Sequence, residues 1–298
     1  MSTYLNCHEL LAAVRQGLNE YSTARLQATS TSGAYLNDYL VRKINAAQRQ
    51  LHALLFRYMK DDFLTAPTDI TVTSSVITLP ADFYILNELR DQDGYKVFKS
   101  EARDLPVNSG SGVENLYYRR GRTFRLNKSG ITDTYKISYY SQPRELTQGV
   151  AAGTNTLASS AKAIADYYNN MTLEVANDGS VFTISDYTAA RVVTPSTGSL
   201  TNAYYYGLVS DLPENFHHLI APRAIQLVNL EFPVAQGALV NASLAQVYLT
   251  EWKDMVADEL IAYTGNDVDI DIEDIFGDYQ SSGPSRGVNV PGQGYMFK

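Results

Sequence analysis

The sequence contains very little cysteine, tryptophan and histidine for its length. Its 298 residues include one cysteine, Cys7, one tryptophan and four histidines. A single cysteine excludes an intramolecular disulfide and a thiolate zinc site, so we expect a protein that is made in a reducing cytosol. No apolar run approaches the length of a membrane span, and the N-terminus lacks a basic region followed by an apolar one. We therefore expect no membrane partner and no signal peptide.

Sequence motifs for catalysis and for cofactor binding are also absent. His217 and His218 are adjacent, so on a helix they point about 100° apart and cannot face one metal ion. The sequence has no His-Glu-x-x-His, no Gly-x-x-x-x-Gly-Lys-Ser/Thr loop and no Gly-x-Ser-x-Gly elbow. These absences predict a protein that is not an enzyme and that binds no cofactor and no metal.

The formal net charge is −8, which excludes a general nucleic-acid binder. One basic cluster stands out against this background. It indicates either a contact with DNA or with an acidic partner, such as a neighbouring subunit's acidic arm, or the exposed face of a hairpin. Its members are Arg119, Arg120, Arg122, Arg125 and Lys128.

Tyrosine is abundant, with 22 residues against 10 phenylalanines. A tyrosine packs with its ring and forms hydrogen bonds at its tip, which suits surfaces that become buried on assembly. Ordinary core packing explains the same count, so interface and core positions both remain open for these rings.

Apolar spacings of three and four residues predict helices towards both ends of the chain. The clearest helix runs from about 35 to 60, and another is expected from about Leu10 to Tyr21. A start signal at Pro213 and a stop at Gly265 bracket the C-terminal helices, of which the last runs from about 238 to 263. On the long helix, the residues expected on the polar side are Arg42, Lys43, Gln48, Arg49 and Arg57.

From about 68 to 145 the apolar period changes to two, which predicts strands. Residues 70–73 and 76–79 have the pattern of a hairpin. Residues 146–210 are rich in small polar residues and carry a turn sequence, Asn177-Asp178-Gly179, which predicts a small all-β module.

The expected fold class is α+β. It comprises a helical core of long N-terminal and C-terminal helices with β-hairpins, an inserted small all-β module and an extended C-terminal arm. We expect the core to span residues 1–145 plus 211–264, the module residues 146–210 and the arm residues 265–298.

The arm is acidic and has an alternating pattern. It holds six acids and two bases, a net charge of 2 − 6 = −4. Its first acids alternate with Val268, Ile270 and Ile272, so an extended chain would have one acidic and one apolar face. Such a segment can add as a strand to a partner's sheet edge; a solvated acidic tail is the alternative. A calcium loop fits poorly, because Ile272 replaces the required glycine and Asp278 the bidentate glutamate.

Five segments follow one another along the chain in a recognisable order, and each of them is a packing pattern. They are INAAQRQL at 44–51, ITLPADF at 77–83, YNNMTLEV at 168–175, TISDYTAARVV at 183–193 and LPENFHHLI at 212–220. In this order, the segments resemble those of tailed-bacteriophage head-to-tail adaptor (connector) proteins.

The resemblance implies a structural virion protein in the neck, between head and tail, assembled in the bacterial host cytoplasm. Such a protein would form a ring of about twelve copies, a dodecamer. The implied partners are the portal protein above, tail or nozzle proteins below, and phage DNA passing through the lumen without sequence-specific binding. A C-terminal arm of such an adaptor would reach the portal, here through Val268, Ile270, Ile272, Ile275, Phe276 and Tyr279.

Two other functions remain open at this point. A virion adhesion or carbohydrate-binding protein would act through the β module, with residues 167–168 and 204–206 supplying exposed aromatic rings. A tail-associated hydrolase would need a pair of carboxylates in a pocket.

Overall fold

The structure is a computed structural model, and it describes residues 5–18, 33–100, 116–127, 130–231 and 242–265. Within these ranges the chain forms four α-helices and twelve β-strands, and the strands make two sheets. The helices are α1 (Cys7–Gly17), α2 (Gly33–Tyr58), α3 (Ile220–Glu231) and α4 (Ala242–Thr264).

The larger sheet has seven strands in the order β3-β7-β1-β2-β6-β5-β4. It is nearly closed, because the Val97 N–H donates to Leu89 O at 2.8 Å and Arg90 forms a bridge with Lys96. The strands are β1 (Thr68–Thr73), β2 (Val76–Thr78), β3 (Phe83–Arg90), β4 (Phe98–Lys99), β5 (Leu116–Arg120), β6 (Thr123–Leu126) and β7 (Asp133–Ser141).

The predicted hairpin of β1 and β2 is confirmed. Ser74 and Ser75 form its two-residue turn, and both have positive φ, at 49° and 65°. A turn of that kind matches the right-handed twist of the flanking strands. Alternate residues of the sheet, such as Val72, Ile77 and Ile137, point into a separate apolar core.

The smaller sheet has five strands in the order β11-β10-β9-β12-β8. The predicted turn at Asn177-Asp178-Gly179 is confirmed, since it joins β9 to β10 and Gly179 has a φ of 71°. The strands are β8 (Gln148–Val150), β9 (Thr172–Val175), β10 (Val181–Tyr187), β11 (Val193–Pro195) and β12 (Tyr205–Leu208).

The helices lie close to their predicted positions. Pro222 falls in the first turn of α3, where its missing N–H has no helical partner to lose, and a 3₁₀ turn over Glu214–Leu219 precedes it. Gly265 ends α4 with a φ of +69° and donates its N–H to Ile261 O at 2.8 Å. Within the described ranges, no helix combines the length and the apolar character needed to cross a membrane.

The predicted helical core with long terminal helices is wrong. In the described residues twelve strands in two sheets accompany only four helices, and the nearly closed sheet is the largest unit. The helices have no core of their own, because their buried residues, such as Leu51 and Trp252, belong to one cluster with residues of the smaller sheet, such as Leu173 and Ile184. The strands between 68 and 141 look like separate hairpins in the sequence, whereas distant pairings join them into one sheet.

Helix α1 packs on the smaller sheet. Asn6 caps the helix by a reciprocal pair of hydrogen bonds with Glu9, at 3.0 and 3.1 Å. A Cβ on Gly207 of β12 would lie 2.7 Å from the backbone nitrogen of His8, so this contact requires glycine. The predicted boundaries of the core, module and arm stay a prediction.

Candidate functional site

Two buried polar side chains of α2 fix the segment that leads from the larger sheet to the smaller one. Asn45 exchanges two hydrogen bonds with the backbone of Leu146, at 2.7 and 3.0 Å. Gln48 Nε2 donates to Arg144 O at 2.8 Å, and Ser210 Oγ donates to Gln48 Oε1 at 2.6 Å. A buried amide costs free energy unless it is hydrogen-bonded, so these bonds specify where the chain crosses. Gln48, predicted on the polar side, is instead 1% exposed.

His52 continues the same face of α2 one turn further on. Its Nε2 lies 3.0 Å from Ser141 O, and its ring stacks edge-on with Phe63 and Tyr84 at centroid distances of 4.7 and 5.2 Å. Burial lowers the pKa of His52 from 6.5 to about 4, although the hydrogen bond to Ser141 opposes this change. At neutral pH the ring is therefore uncharged, which suits its apolar surroundings.

Arg144 and Asp211 join the two ends of the segment that forms the smaller sheet. The guanidinium donates to both carboxylate oxygens at 2.8 Å, and the Arg144 backbone N–H adds a third hydrogen bond at 3.1 Å. Burial alone would lower the pKa of Arg144, but the hydrogen bonds and charge of Asp211 raise it overall. Arg144 also donates to Asn169 O, which ties the pair to the turn before β9. This bidentate pair holds residues 144 and 211 side by side.

Two adjoining cavities lie along this crossing segment, and together we call them the inter-sheet cleft. The first has a volume of about 450 Å³ and lies between α2 and residues of the segment 145–162. The second has a volume of about 300 Å³. Residues of the larger sheet, such as Phe83, and residues of the loop before β9, such as Tyr167, line it. Glu145 and Lys162 line both cavities, so the two cavities adjoin at these residues.

The cleft is positive in an otherwise acidic protein. Five basic and two acidic side chains line it, a formal charge of 5 − 2 = +3, whereas the whole chain carries −8. Clustered charge of one sign on a partly enclosed surface concentrates the field and attracts ligands of the opposite sign. The charged residues are Arg42, Arg49, Arg119, Arg122 and Lys162, with Asp38 and Glu145.

Glu145 lies where the two cavities meet. Its carboxylate is 2.8 Å from Lys162 Nζ and 3.5 Å from Arg49 Nη1. The three side chains are 36–56% exposed, so these ion pairs contribute little to stability. Their effect is on geometry, because the Glu145 carboxylate holds Arg49 of α2 and Lys162 of the loop before β9 close to each other.

The arginines of the second cavity are held against the larger sheet. The Arg119 guanidinium lies 5.3 Å from the centre of the Phe83 ring, a cation–π contact. Arg122 Nη2 donates to Pro80 O at 3.3 Å. Both guanidinium groups are thus directed along the rim of the cleft.

Tyrosine tips position the two residues shared by the cavities. The Tyr168 hydroxyl accepts from the Lys162 N–H at 3.2 Å, and the Tyr187 hydroxyl donates to Lys162 O at 2.5 Å. The Tyr167 hydroxyl accepts from the Glu145 N–H at 3.2 Å. All three rings are buried, so part of the tyrosine content serves the core and fixes the backbone of the cleft.

The aromatic face proposed for an adhesive function is not formed by these rings. Tyr167, Tyr168 and Tyr206 are 8%, 1% and 0% exposed. Tyr205 is 49% exposed, and its ring faces His8 at a centroid distance of 6.0 Å. A glycan platform needs several exposed rings on one face, and the buried tyrosines cannot supply them.

The predicted basic cluster is divided by the hairpin of β5 and β6. Arg119 pairs with Phe124, on the face that carries the core, whereas Arg125 pairs with Tyr118 and Arg120 with Thr123, on the opposite face. Arg119 and Arg122 line the cleft. Arg120 and Arg125 are exposed away from it, and the last member, Lys128, lies outside the described residues.

The residues predicted to bind the portal all lie outside the described ranges, as does the calcium-like sequence. They are Val268, Ile270, Ile272, Ile275, Phe276 and Tyr279. In the described part of the chain, no group of three or more histidine, cysteine, aspartate or glutamate side chains could hold a metal ion. His217 is buried and accepts from the Leu5 N–H at 3.3 Å, whereas His218 lies 3.8 Å from Glu259 at the surface.

Sequence reasoning missed Asn45, His52, Lys162 and the pair of Arg144 with Asp211. One signal was available for α2, because Asn45, Gln48 and His52 interrupt an apolar face at spacings of three and four residues. Polar residues on a buried face require buried partners. No local pattern marks Lys162, which the fold brings to the cleft from a loop more than 100 residues after α2.

The sequence model of a family described as SU10 adaptor protein matches residues 5–167, which is more than half of the chain. The matched range includes α1, α2, the complete larger sheet and all residues that line the inter-sheet cleft. No curated protein matches the sequence.

Proposed function

Because the chain belongs to the SU10 adaptor protein family, a phage head–tail adaptor family, we propose that it forms a ring between portal and tail of a tailed phage. The family makes the chain a phage structural adaptor and a component of the virion. The proposal adds that about twelve copies form the ring, that its lumen passes DNA without sequence-specific binding, and that tail proteins dock below it.

The family match is the observation that carries this proposal. It extends through the larger sheet and through the α2 residues that hold the crossing segment. In this part of the chain, the side-chain amides of Asn45 and Gln48 bind the backbone between the two sheets. These bonds fix the position of that segment relative to α2. Rigid positioning of two sheets suits a part that joins other proteins.

We further propose that residues 146–210 are an inserted module. An insertion leaves its host intact when its two ends are close together. The hydrogen bonds between Arg144 and Asp211 support the proposal, because these two residues flank the segment directly.

The C-terminal arm is proposed to bind the portal through its apolar face. Val268, Ile270 and Ile272 alternate with acids, the pattern of a strand that pairs with a partner's sheet edge. The distal apolar residues Ile275, Phe276 and Tyr279 extend the same contact.

The test mixes the full-length protein with its cognate portal and measures the mass of the complex by analytical ultracentrifugation. We expect many copies to join each portal ring, and electron microscopy should show them on the tail side. A portal whose mass does not change in the mixture would overturn the adaptor proposal.

A matched pair of variants tests the arm. Changing Val268, Ile270 and Ile272 together to Ser should weaken portal binding, because apolar contacts are lost. Changing Asp267, Asp269 and Asp271 together to Asn should affect portal binding less. The opposite order would show that charge, and not the apolar face, binds the portal.

A further inference from the structure

The inter-sheet cleft carries a positive charge for which the adaptor function assigns no partner. We propose that it binds the acidic face of the C-terminal arm, residues 267–278, from a neighbouring copy of the chain. The inference deepens the proposed function and rests on it in one respect, because the ring places copies side by side.

The charges of the cleft and of the arm are complementary. Residues 267–278 contain six acids and no base, a charge of −6, and the cleft has +3. The acids of this segment make up the largest concentration of negative charge in the sequence. They are Asp267, Asp269, Asp271, Glu273, Asp274 and Asp278.

The spacing of the charges is also compatible. Arg42 and Arg49 stand seven residues apart on one face of α2, which is about 10 Å along a helix. Two acids four residues apart in an extended chain, such as Asp267 and Asp271, are separated by about 13 Å. The two distances differ by about 3 Å, which long arginine side chains can span, so an extended acidic segment can place Asp267 and Asp271 near Arg42 and Arg49.

The cleft favours a peptide over a DNA duplex. Glu145 lies in its middle, 2.8 Å from Lys162, and a fixed carboxylate there repels a continuous row of phosphates. The cavities, of about 450 and 300 Å³, are of a size for a single extended peptide chain. In a peptide, the carboxylates are separate side chains, so they can bind the cations on either side of Glu145 without placing a negative charge against it.

The two proposed contacts use opposite faces of the arm. In an extended chain the acidic residues 267, 269 and 271 point one way and the apolar residues 268, 270 and 272 point the other way. The acidic face can thus lie in the neighbour's cleft while the apolar face remains available to the portal. The arm would link one copy to the next as well as to the portal.

Cross-linking between two different full-length variants tests this arrangement. One variant carries Ile164→Cys, at a residue that lines the cleft and is 44% exposed. The other carries an affinity tag and Asp269→Cys, on the face of the arm that the inference places in the cleft. The native Cys7 is fully buried, so it gives no background with a short bismaleimide. A product that contains both variants arises only between copies.

The first control replaces Ile164→Cys by Val192→Cys, which is 38% exposed and lies outside the cleft. The second control compares two double variants that change the charge equally and lie in the same hairpin of β5 and β6. Arg119→Glu with Arg122→Glu reverses two cleft cations, whereas Arg120→Glu with Arg125→Glu reverses two cations outside the cleft. We expect the cleft pair to lower the yield about tenfold, through two lost ion pairs and new repulsion, and the outer pair to change it little.

The reaction is run on the protein alone at high concentration and again on portal-bound protein. A yield with Ile164→Cys that exceeds the yield with Val192→Cys, and that falls only with the cleft reversal, supports the inference. Equal yields at both positions, or equal effects of both reversals, overturn it. Portal binding is measured separately by co-sedimentation, so binding without selective cross-linking refutes the inference alone, and absence of binding refutes the proposed function.

Discussion

Acid should destabilise this protein when the buried side chain of His52 becomes protonated. His52 is 3% exposed and lies between the rings of Phe63 and Tyr84, with Nε2 3.0 Å from Ser141 O. Protonation would place a charge in this apolar site. The perturbation is therefore a change of pH from 7 to 4, compared between the parent protein and His52→Gln, whose amide can still donate to Ser141 O.

The magnitude follows from the difference in pKa between the folded and unfolded chain. The pKa of His52 is about 4 in the folded chain, against 6.5 for a histidine exposed to water, and each unit is worth about 1.4 kcal/mol. Below pH 6.5 the unfolded chain binds a proton that the folded chain does not, so the free energy of unfolding falls with pH by about 3 kcal/mol down to pH 4. Burial lowers the pKa of His217 and adds to this loss, whereas burial raises the pKa of Asp82 and opposes it.

Urea unfolding at several pH values isolates the contribution of His52. Trp252, the sole tryptophan, is fully buried and reports unfolding by its fluorescence. We expect the parent to lose about 3 kcal/mol more than His52→Gln between pH 7 and pH 4. His218→Gln, which replaces a histidine whose side chain is 50% exposed, is the matched control. The reasoning is refuted if the parent and His52→Gln show the same dependence on pH.

Three further outcomes are expected. Gly207→Ala places a Cβ 2.7 Å from the His8 backbone nitrogen and should cost about 1–3 kcal/mol by overpacking; an unchanged midpoint of urea unfolding would contradict the close approach. Asn45→Ala leaves the N–H and carbonyl of Leu146 without their partner and should cost about 1–3 kcal/mol for each group that stays unsatisfied, measured in the same way. The thiol of Cys7 is buried, and burial raises its pKa to about 12, so Ellman's reagent should react only as fast as the protein unfolds; a rapid reaction in native buffer would show that the site opens.

Local structure could be predicted from the sequence because it is decided by neighbouring residues. The apolar stripe of α2, the stop at Gly265 and the turn at Asn177-Asp178-Gly179 all depend on spacings within one element. The fold class could not be predicted in the same way. Residues of β7 pair with residues of β1 and β3 that lie more than 45 positions earlier in the chain. No local sequence pattern predicts such a pairing. Strands of one nearly closed sheet therefore look, in the sequence, like hairpins on a helical core.

The same distinction applies to the candidate site. The cations between 119 and 128 lie close together in sequence, so they form one cluster there, but strand alternation places Arg119 and Arg120 on opposite faces. Besides Arg122, the cations that share the cleft with Arg119 come from α2 and from the loop before β9. Identifying them requires the distant contacts between Asn45 and Leu146 and between Arg144 and Asp211, which only the folded chain shows.

The electrostatics of the chain have opposite effects on free and assembled copies. Each copy carries −8, so free copies repel one another over distances up to the Debye length, about 8–10 Å in physiological salt. Contacts between the arm and a neighbouring cleft would act at closer range, and screening weakens them less. The proposed contact would combine −6 and +3 into −3, which removes half of the charge of the acidic segment at the interface. Moderate salt should therefore promote association of copies by screening the general repulsion, and the Arg119→Glu and Arg122→Glu double variant should lose that response because its specific attraction is absent.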